Sequence, residues 1–307
     1  MIKTDHLTKH YGALAAVDDV SFQVAPGEVL GFLGPNGAGK TTTMRMLAGF
    51  VTPTAGSASI CGHDVVTDAL AAKAALGYLP EGAPGYGEMT VRGFLNFIAD
   101  LRRLEGARRA ARLGHVIEHL HLSGVLGQTI ETLSKGFRRR VGLAQAIVHD
   151  PPVLILDEPT DGLDPNQKHE VRSLINDMAR DKIIVISTHI LEEVDAVCTR
   201  AIIISRGRIV ADDSPAGLAA RSRYHNAVSM QLADGAQLES ARAAVAALPA
   251  VAEVEVSERE ARVTALPRAG AMIFAPVSEL AARTGLKLKE LHLEAGRLDE
   301  VFRTITA

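Results

Sequence analysis

Apolar residues in this chain follow two rhythms. Val29-Leu30-Gly31-Phe32-Leu33 and Val153-Leu154-Ile155-Leu156 are unbroken apolar runs bounded by turn residues. Strands buried on both faces of a parallel sheet read this way, whereas half-exposed strands alternate. Strand-like stretches at 2–7 and 17–24 flank a Tyr11-Gly12 turn, and Pro26-Gly27 marks a second turn. The run at 42–48 has helical spacing, and further strands are expected at 56–61 and 76–79. Asp64 is expected to cap a helix running to residue 75.

Helical spacing then takes over at 90–104, 107–122 and 136–149, so a helical insertion interrupts the sheet. After Pro151-Pro152 the alternation resumes: strand 153–156, helix 165–180, strand 182–187, helix 190–197 and a closing hairpin, 201–205 with 208–211, around Arg206-Gly207. Composition shifts near 214–223. Beyond it lie a strand at 227–232, a helix at 238–248, strands at 252–257 and 261–265, a helix at 271–284, a strand at 287–293 and a short terminal helix. That βαββαβ order predicts a small ferredoxin-like α+β domain. The expected domains are 1–217, with a helical subdomain at about 88–150, and 218–307.

Composition narrows the functional classes. The 307 residues include 33 basic and 36 acidic side chains, a net charge of −3, so no basic field invites nucleic acid. Two cysteines, Cys61 and Cys198, suit a reducing compartment. The N-terminus shows no signal-type apolar stretch, and no apolar run reaches the roughly eighteen residues of a membrane span. The expectation is a cytoplasmic protein that meets a membrane only through a partner.

The chemistry concentrates where the first apolar run ends. Gly34-Pro35-Asn36-Gly37-Ala38-Gly39-Lys40-Thr41 fits G-x-x-x-x-G-K-T between a strand and a helix, the context that a P-loop requires. Gly34, Pro35, Asn36, Gly37, Ala38, Gly39, Lys40, Thr41 and Thr42 are therefore the candidate phosphate-binding residues. Loop amides and the helix dipole make the cradle, Lys40 reaches the β- and γ-phosphates, and the Thr41 hydroxyl is a candidate Mg²⁺ ligand. The second run delivers Asp157 and Glu158 to its C-terminal end, where open α/β sheets hold ligands. Asp157 suits a Walker-B role toward Mg²⁺, and Glu158 is placed to polarise water toward the γ-phosphate. These residues point to binding of a nucleoside triphosphate.

Further motifs make the resemblance specific. Leu133-Ser134-Lys135-Gly136-Phe137 resembles the signature loop of ATP-binding-cassette (ABC) ATPases, at the family's distance before Walker B. Asp161-Gly162-Leu163-Asp164 resembles the D-loop, Ser187-Thr188-His189 the switch histidine, and Tyr11 the aromatic that stacks on adenine. The resemblance covers residues 1 to about 215. It implies an α/β P-loop ABC ATPase domain with a RecA-like core sheet, an antiparallel β subdomain and a helical subdomain. It also implies Mg–ATP hydrolysis in a head-to-tail homodimer, in which Ser134 and Gly136 touch the γ-phosphate of the partner's ATP. Glu158 would be the catalytic base and His189 the γ-phosphate sensor. The implied partner is a separate permease, with the chain peripheral on the inner face of the cell membrane.

Two departures refine it. Lys135-Gly136-Phe137 stands where the family usually has Gly-Gly-Gln, and Glu81 stands where it has the Q-loop glutamine. Glutamate keeps an oxygen for Mg²⁺ but adds charge near the phosphates and loses an amide donor. Both variants resemble ATPases that energise ABC-2-type permeases, of the gliding-motility and sodium-efflux kinds, with export the implied direction. Translation-type ABC proteins carry two cassettes and DNA-repair types a long coiled coil; this chain shows neither feature, and a purely regulatory module is the remaining alternative. His115-Val116-Ile117-Glu118-His119 matches an H-x-x-E-H zinc pattern. It lies among arginines in the helical insertion, and zinc chemistry is declined. Arg138-Arg139-Arg140 reads as a solvated helix face or a subunit contact, with phosphate binding the lesser alternative.

Overall fold

The computed structural model describes residues 1–82 and 86–306. The chain divides into two compact units, Met1–Ser214 and Pro215–Ile305. In the first, β1 (Ile2–Tyr11) and β2 (Leu14–Val24) form a hairpin, and β3 (Val29–Leu33) leads into α1 (Lys40–Leu47). β4 (Ala55–Ile60), β5 (His63–Asp64), α2 (Ala69–Ala74) and β6 (Leu76–Leu79) follow. α3 (Val91–Leu101), α4 (Gly106–His119) and α5 (Lys135–Ile147) make the helical region. β7 (Val153–Asp157), α6 (Pro165–Ala179), β8 (Ile183–Thr188), α7 (Leu191–Val197), β9 (Arg200–Ser205) and β10 (Arg208–Asp213) complete the unit.

The unbroken apolar runs become the middle of a six-stranded sheet ordered β10-β9-β3-β8-β7-β6. Its pairings are parallel except β9 with β10. Alternate residues of each strand enter different cores. Leu154, Leu156, Ile184 and Ile186 pack with the helical region, and Val153, Ile155, Ile183 and Val185 pack with α1 and the β1–β4 layer. Both faces being covered, β7 and β8 are apolar up to their C-terminal ends, where buried Asp157, Ser187 and Thr188 appear. A smaller antiparallel sheet, β2-β1-β4-β5, supplies the second layer.

The Asp64 expectation is corrected. Asp64 ends β5, and its carboxylate accepts from the amides of Val66 and Thr67 at 2.9 and 2.8 Å. It caps a turn, and α2 begins only at Ala69. Asp side chains compete well for nearby amides, which favours turns as much as helix starts. The first hairpin also extends further than expected, with Tyr11 the last residue of β1 and the turn at Gly12 and Ala13. The Arg206-Gly207 hairpin has both turn residues at positive φ, the conformation that matches strand twist.

In the second unit α8 (Pro215–Ala219) precedes β11 (Val228–Leu232), α9 (Leu238–Ala246), β12 (Val251–Ser257), β13 (Arg262–Pro267), α10 (Phe274–Thr284), β14 (Leu288–Leu293) and α11 (Leu298–Thr306). The sheet is antiparallel with order β12-β13-β11-β14. Taken from β11, that is the 2-3-1-4 order of a ferredoxin-like βαββαβ unit. Val228, Met230 and Leu232 of β11 pack with Ala241 and Val245 of α9 and Val277 of α10 to form its core.

Where α5 hands the chain to β7, His149 is 8% exposed, and its Nε2 donates to the Leu76 carbonyl at 3.1 Å. Burial, with the Arg102 charge beside it, holds this imidazole down from 6.5 to about 4. The unfolded chain therefore takes up this proton before the native protein does. The stability tied to neutral His149 is complete above pH 6.5 and is lost as pH falls toward 4. Urea unfolding at these two ends should show His149→Gln losing about 3 kcal/mol less than the unmodified protein. Equal losses would show that His149 does not set the acid limit.

Candidate nucleotide site

The strand-to-helix turn after β3 is shaped by its glycines. A Cβ on Gly34 would sit 2.5 Å from the Ile204 carbonyl, and Gly39 has φ 107. Only glycine meets both demands. Gly39 also caps α1 without any side-chain hydrogen bond. The Thr43 amide closes the first helical bond, onto the Gly39 carbonyl at 2.9 Å, leaving the preceding amides of α1 for a ligand. Lys40 lies folded back on the loop, donating to the carbonyls of Gly34 and Pro35 at 2.6 and 3.1 Å. Burial lowers its pKa, and the charges of Glu158, Asp157 and Glu81 oppose that shift.

One cleft of about 470 Å³ gathers most of the expected residues. Tyr11, Asn36, Gly37, Gly39, Lys40, Thr41, Thr42, Glu81 and Glu158 line it. Tyr11 is half-exposed on its rim, with Lys9 Nζ 5.2 Å from the ring centroid. Asp157 is 1% exposed, and neither carboxylate oxygen has a hydrogen-bond partner. Burial raises its pKa, and the nearby hydroxyls of Ser187 and Thr41 pull the other way. Glu158 receives His189 Nδ1 at 2.9 Å. Burial raises the Glu158 pKa as well, against the pull of His189.

Ser134 and Gly136 do not join this cleft. Ser134 is exposed as the N-cap of α5, accepting from the Phe137 amide at 3.3 Å. Gly136 is buried against α6, where a Cβ would meet Gln167 Oε1 at 2.7 Å. Lys135 pairs with Asp161 at 2.8 Å, so the signature-like and D-loop-like segments are docked on each other within the chain.

The arginine run is corrected. Arg139 and Arg140 are 4% and 8% exposed, so this is no solvated face. Arg140 pairs with Glu170 at 2.8 Å. Arg139 donates to the carbonyls of Pro80, Asp157 and Glu158. Helical spacing held a signal, since 139 and 140 share a face with Gly136, Leu143 and Ile147, all buried. Glu193 was also missed: it is 3% exposed and accepts the hydroxyls of Thr160 and Thr188, joining α7 to the end of β8 and to the turn after β7. His115 and His119 stack with centroids 3.9 Å apart. Among the described residues, no group of three or more His, Cys, Asp or Glu is placed to hold a metal.

The ABC transporter family profile matches residues 17–161. The Nod factor export ATP-binding protein I of Paraburkholderia xenovorans (strain LB400) is 41% identical over 71% of this chain and 72% of its own length. The chain belongs to the ABC transporter ATP-binding proteins. This ABC ATPase also resembles the solved ATP-binding subunit of an ABC transporter, with a TM-score of 0.68 and 29% identity over 72% of this chain and 92% of that one. A dimeric bacterial ABC transporter cassette shares the fold, with a TM-score of 0.65 and 22% identity over 70% of this chain and 99% of that one. The protein is thus an ATP-hydrolysing subunit of an ATP-driven transporter. No helix among the described residues is long and apolar enough to cross a membrane.

Glu193→Ala would leave two buried hydroxyls without their acceptor. We expect a loss of about 2–4 kcal/mol in urea unfolding at unchanged m-value. A loss under about 0.5 kcal/mol would show that this carboxylate does not hold α7 to the end of β8 and the turn after β7.

Proposed function

We propose that this ABC ATPase works as a head-to-tail homodimer on the inner face of the cell membrane, driving a separate ABC-2-type permease in the export direction. The observation that carries the reading is the Glu158–His189 pair, 2.9 Å apart beside the Lys40 cleft, while exposed Ser134 stands outside it. Ser134 and Gly136 then serve a nucleotide held by the other subunit, with the N-terminus of α5 turned toward its γ-phosphate. The dimeric relative and the Nod factor exporter support assembly and direction. The Glu81 and Lys135-Gly136 variants support a place beside the gliding-motility and sodium-efflux ATPases. Residues 1–217 are the catalytic domain and 218–307 an accessory domain.

In this reading Tyr11 stacks on adenine, and the amides from Gly34 to Thr42 receive the phosphates. Lys40 exchanges the Gly34 and Pro35 carbonyls for β- and γ-phosphate oxygens. Glu158, with its proton affinity raised by burial, takes the proton of the attacking water. His189 orients Glu158 and reports the γ-phosphate. The unpartnered Asp157 carboxylate beside the Thr41 hydroxyl fits a divalent cation, and Glu81 lines the same cleft. These three residues would hold Mg²⁺, which when bound neutralises charge on the phosphates.

A second cleft, of about 710 Å³, suits the permease. Phe50 and Leu101, 70% and 63% exposed, give it an apolar surface, and Arg45, Lys73 and Arg102 give it a basic rim. An amphipathic permease segment with acidic flanks is the complementary occupant. Pro80 is part of its lining, so pressure there reaches Glu81 through one peptide bond.

Glu158→Gln should keep ATP binding and lose hydrolysis by about 100-fold or more, since the base is gone. Light scattering should show this variant dimerising with ATP, and Ser134→Arg on that background should abolish the dimer. A wild-type hydrolysis rate in Glu158→Gln would refute these roles, and a dimer that persists in the double variant would refute the sandwich.

A further inference from the structure

Arg139 is a buried cation whose hydrogen bonds go to neutral carbonyls. Its guanidinium reaches Pro80 at 3.1 Å and also binds Asp157 and Glu158, leaving Nε without a partner. Such a charge is costly unless nearby negative charge balances it. Burial lowers the Arg139 pKa, and Asp161, Asp157, Glu158 and Glu81 are the charges that oppose this. Three of the four, Glu158, Asp157 and Glu81, also act on Lys40. One lysine facing three carboxylates would leave the cleft negative where a polyphosphate has to bind, and Arg139 is the second cation behind it.

The fork also bears on geometry. Glu158 has φ 52, a left-handed conformation that is uncommon outside glycine. Three bonds hold it there: its amide donates to the Ser187 carbonyl at 2.8 Å, and its carbonyl accepts from the Asp161 amide at 3.1 Å and from Arg139. With the fork removed, the two backbone bonds remain but the buried side-chain clamp is gone, which loosens the strained peptide that aims the carboxylate at His189. The third acceptor, Pro80, precedes Glu81, so one side chain of α5 holds both acid-bearing strand ends.

We propose that Arg139 is a positioning residue for ATP hydrolysis, clamping the Glu158 peptide through its fork and offsetting the charge of Glu81. The proposal rests on the reading of Glu158 as the base. It makes Glu81 and Arg139 energetically coupled without direct contact.

The test uses the full chain carrying Arg139→Gln, Arg139→Lys, Glu81→Gln and the double variant Glu81→Gln/Arg139→Gln, with steady-state Mg–ATP hydrolysis as the readout. Arg139→Gln should lower kcat by about tenfold or more and raise KM for Mg–ATP by a smaller factor, because positioning is lost together with part of the charge balance. Adding Glu81→Gln to it should recover kcat by about threefold or more, a non-additive result. Arg139→Lys keeps the charge and loses the fork, so kcat falls and Glu81→Gln gives no recovery in that background. The proposal is overturned if Arg139→Gln stays within about twofold of wild-type kcat, or if the double variant is the product of the singles. Should Arg139→Gln fail to fold, Arg139→Lys carries the test, and a wild-type kcat or a recovery by Glu81→Gln overturns it. Wild-type protein that does not hydrolyse Mg–ATP, or Glu158→Gln at full rate, sinks the reading of the site instead.

Discussion

Leu33 at the end of β3 lies opposite Thr188 of β8, and Ser187 of β8 lies opposite Asp157 of β7. This register brings three strand ends flush at one edge of the sheet, and the site depends on it. The P-loop leaves from the first, His189 follows the second, and Asp157 with Glu158 ends the third. A parallel strand slipped by one residue would exchange its two faces between the two cores, each already filled. Packing that buries Leu154 with the helices and Ile155 with α1 therefore also fixes where the groups of the candidate site stand.

The consequence is a crowded set of charges. Asp157 is buried, Glu158 partly so, and burial raises the pKa of both. A protein seeking stability alone would not bury two adjacent acids beside a third at position 81. Such a cluster suits a site designed for cationic and polyphosphate ligands, where perturbed groups gather. The counterweight comes from two places: Lys40 at the head of α1 and Arg139 on α5. α5, capped by exposed Ser134, holds this chain's own acids, and in the proposed dimer the same helix would face the partner's nucleotide. Were that dimer to form, this one short helix would be the physical carrier of coupling between its two sites.

Legibility from sequence followed the range of the interactions. The strand–loop–helix around Gly34 to Thr41 and the Asp157-Glu158 strand end were readable because their chemistry is local. The same holds for the βαββαβ pattern after residue 227. Asp64 misled because a carboxylate that accepts the next two or three amides serves a turn and a helix start equally well. The arginines at 138–140 misled because charge was read as exposure. Two of them satisfy carbonyls or a carboxylate far away in the chain, and no spacing rule encodes that.

Residue order by itself determined the nucleotide cradle, the buried parallel strands and the membership of the ABC ATPases, since glycine placement and apolar periodicity act within a few residues. Tertiary structure alone decided that Gly34 to Thr41 shares its cleft with Glu81 and Glu158 but not with Ser134. It alone showed that Glu193 ties α7 to the end of β8 and to the turn after β7, and that Arg139 stands behind the acids. Those decisions belong to burial and to partners between 5 and 59 positions apart, for which a buried charge must find whatever acceptor the fold presents.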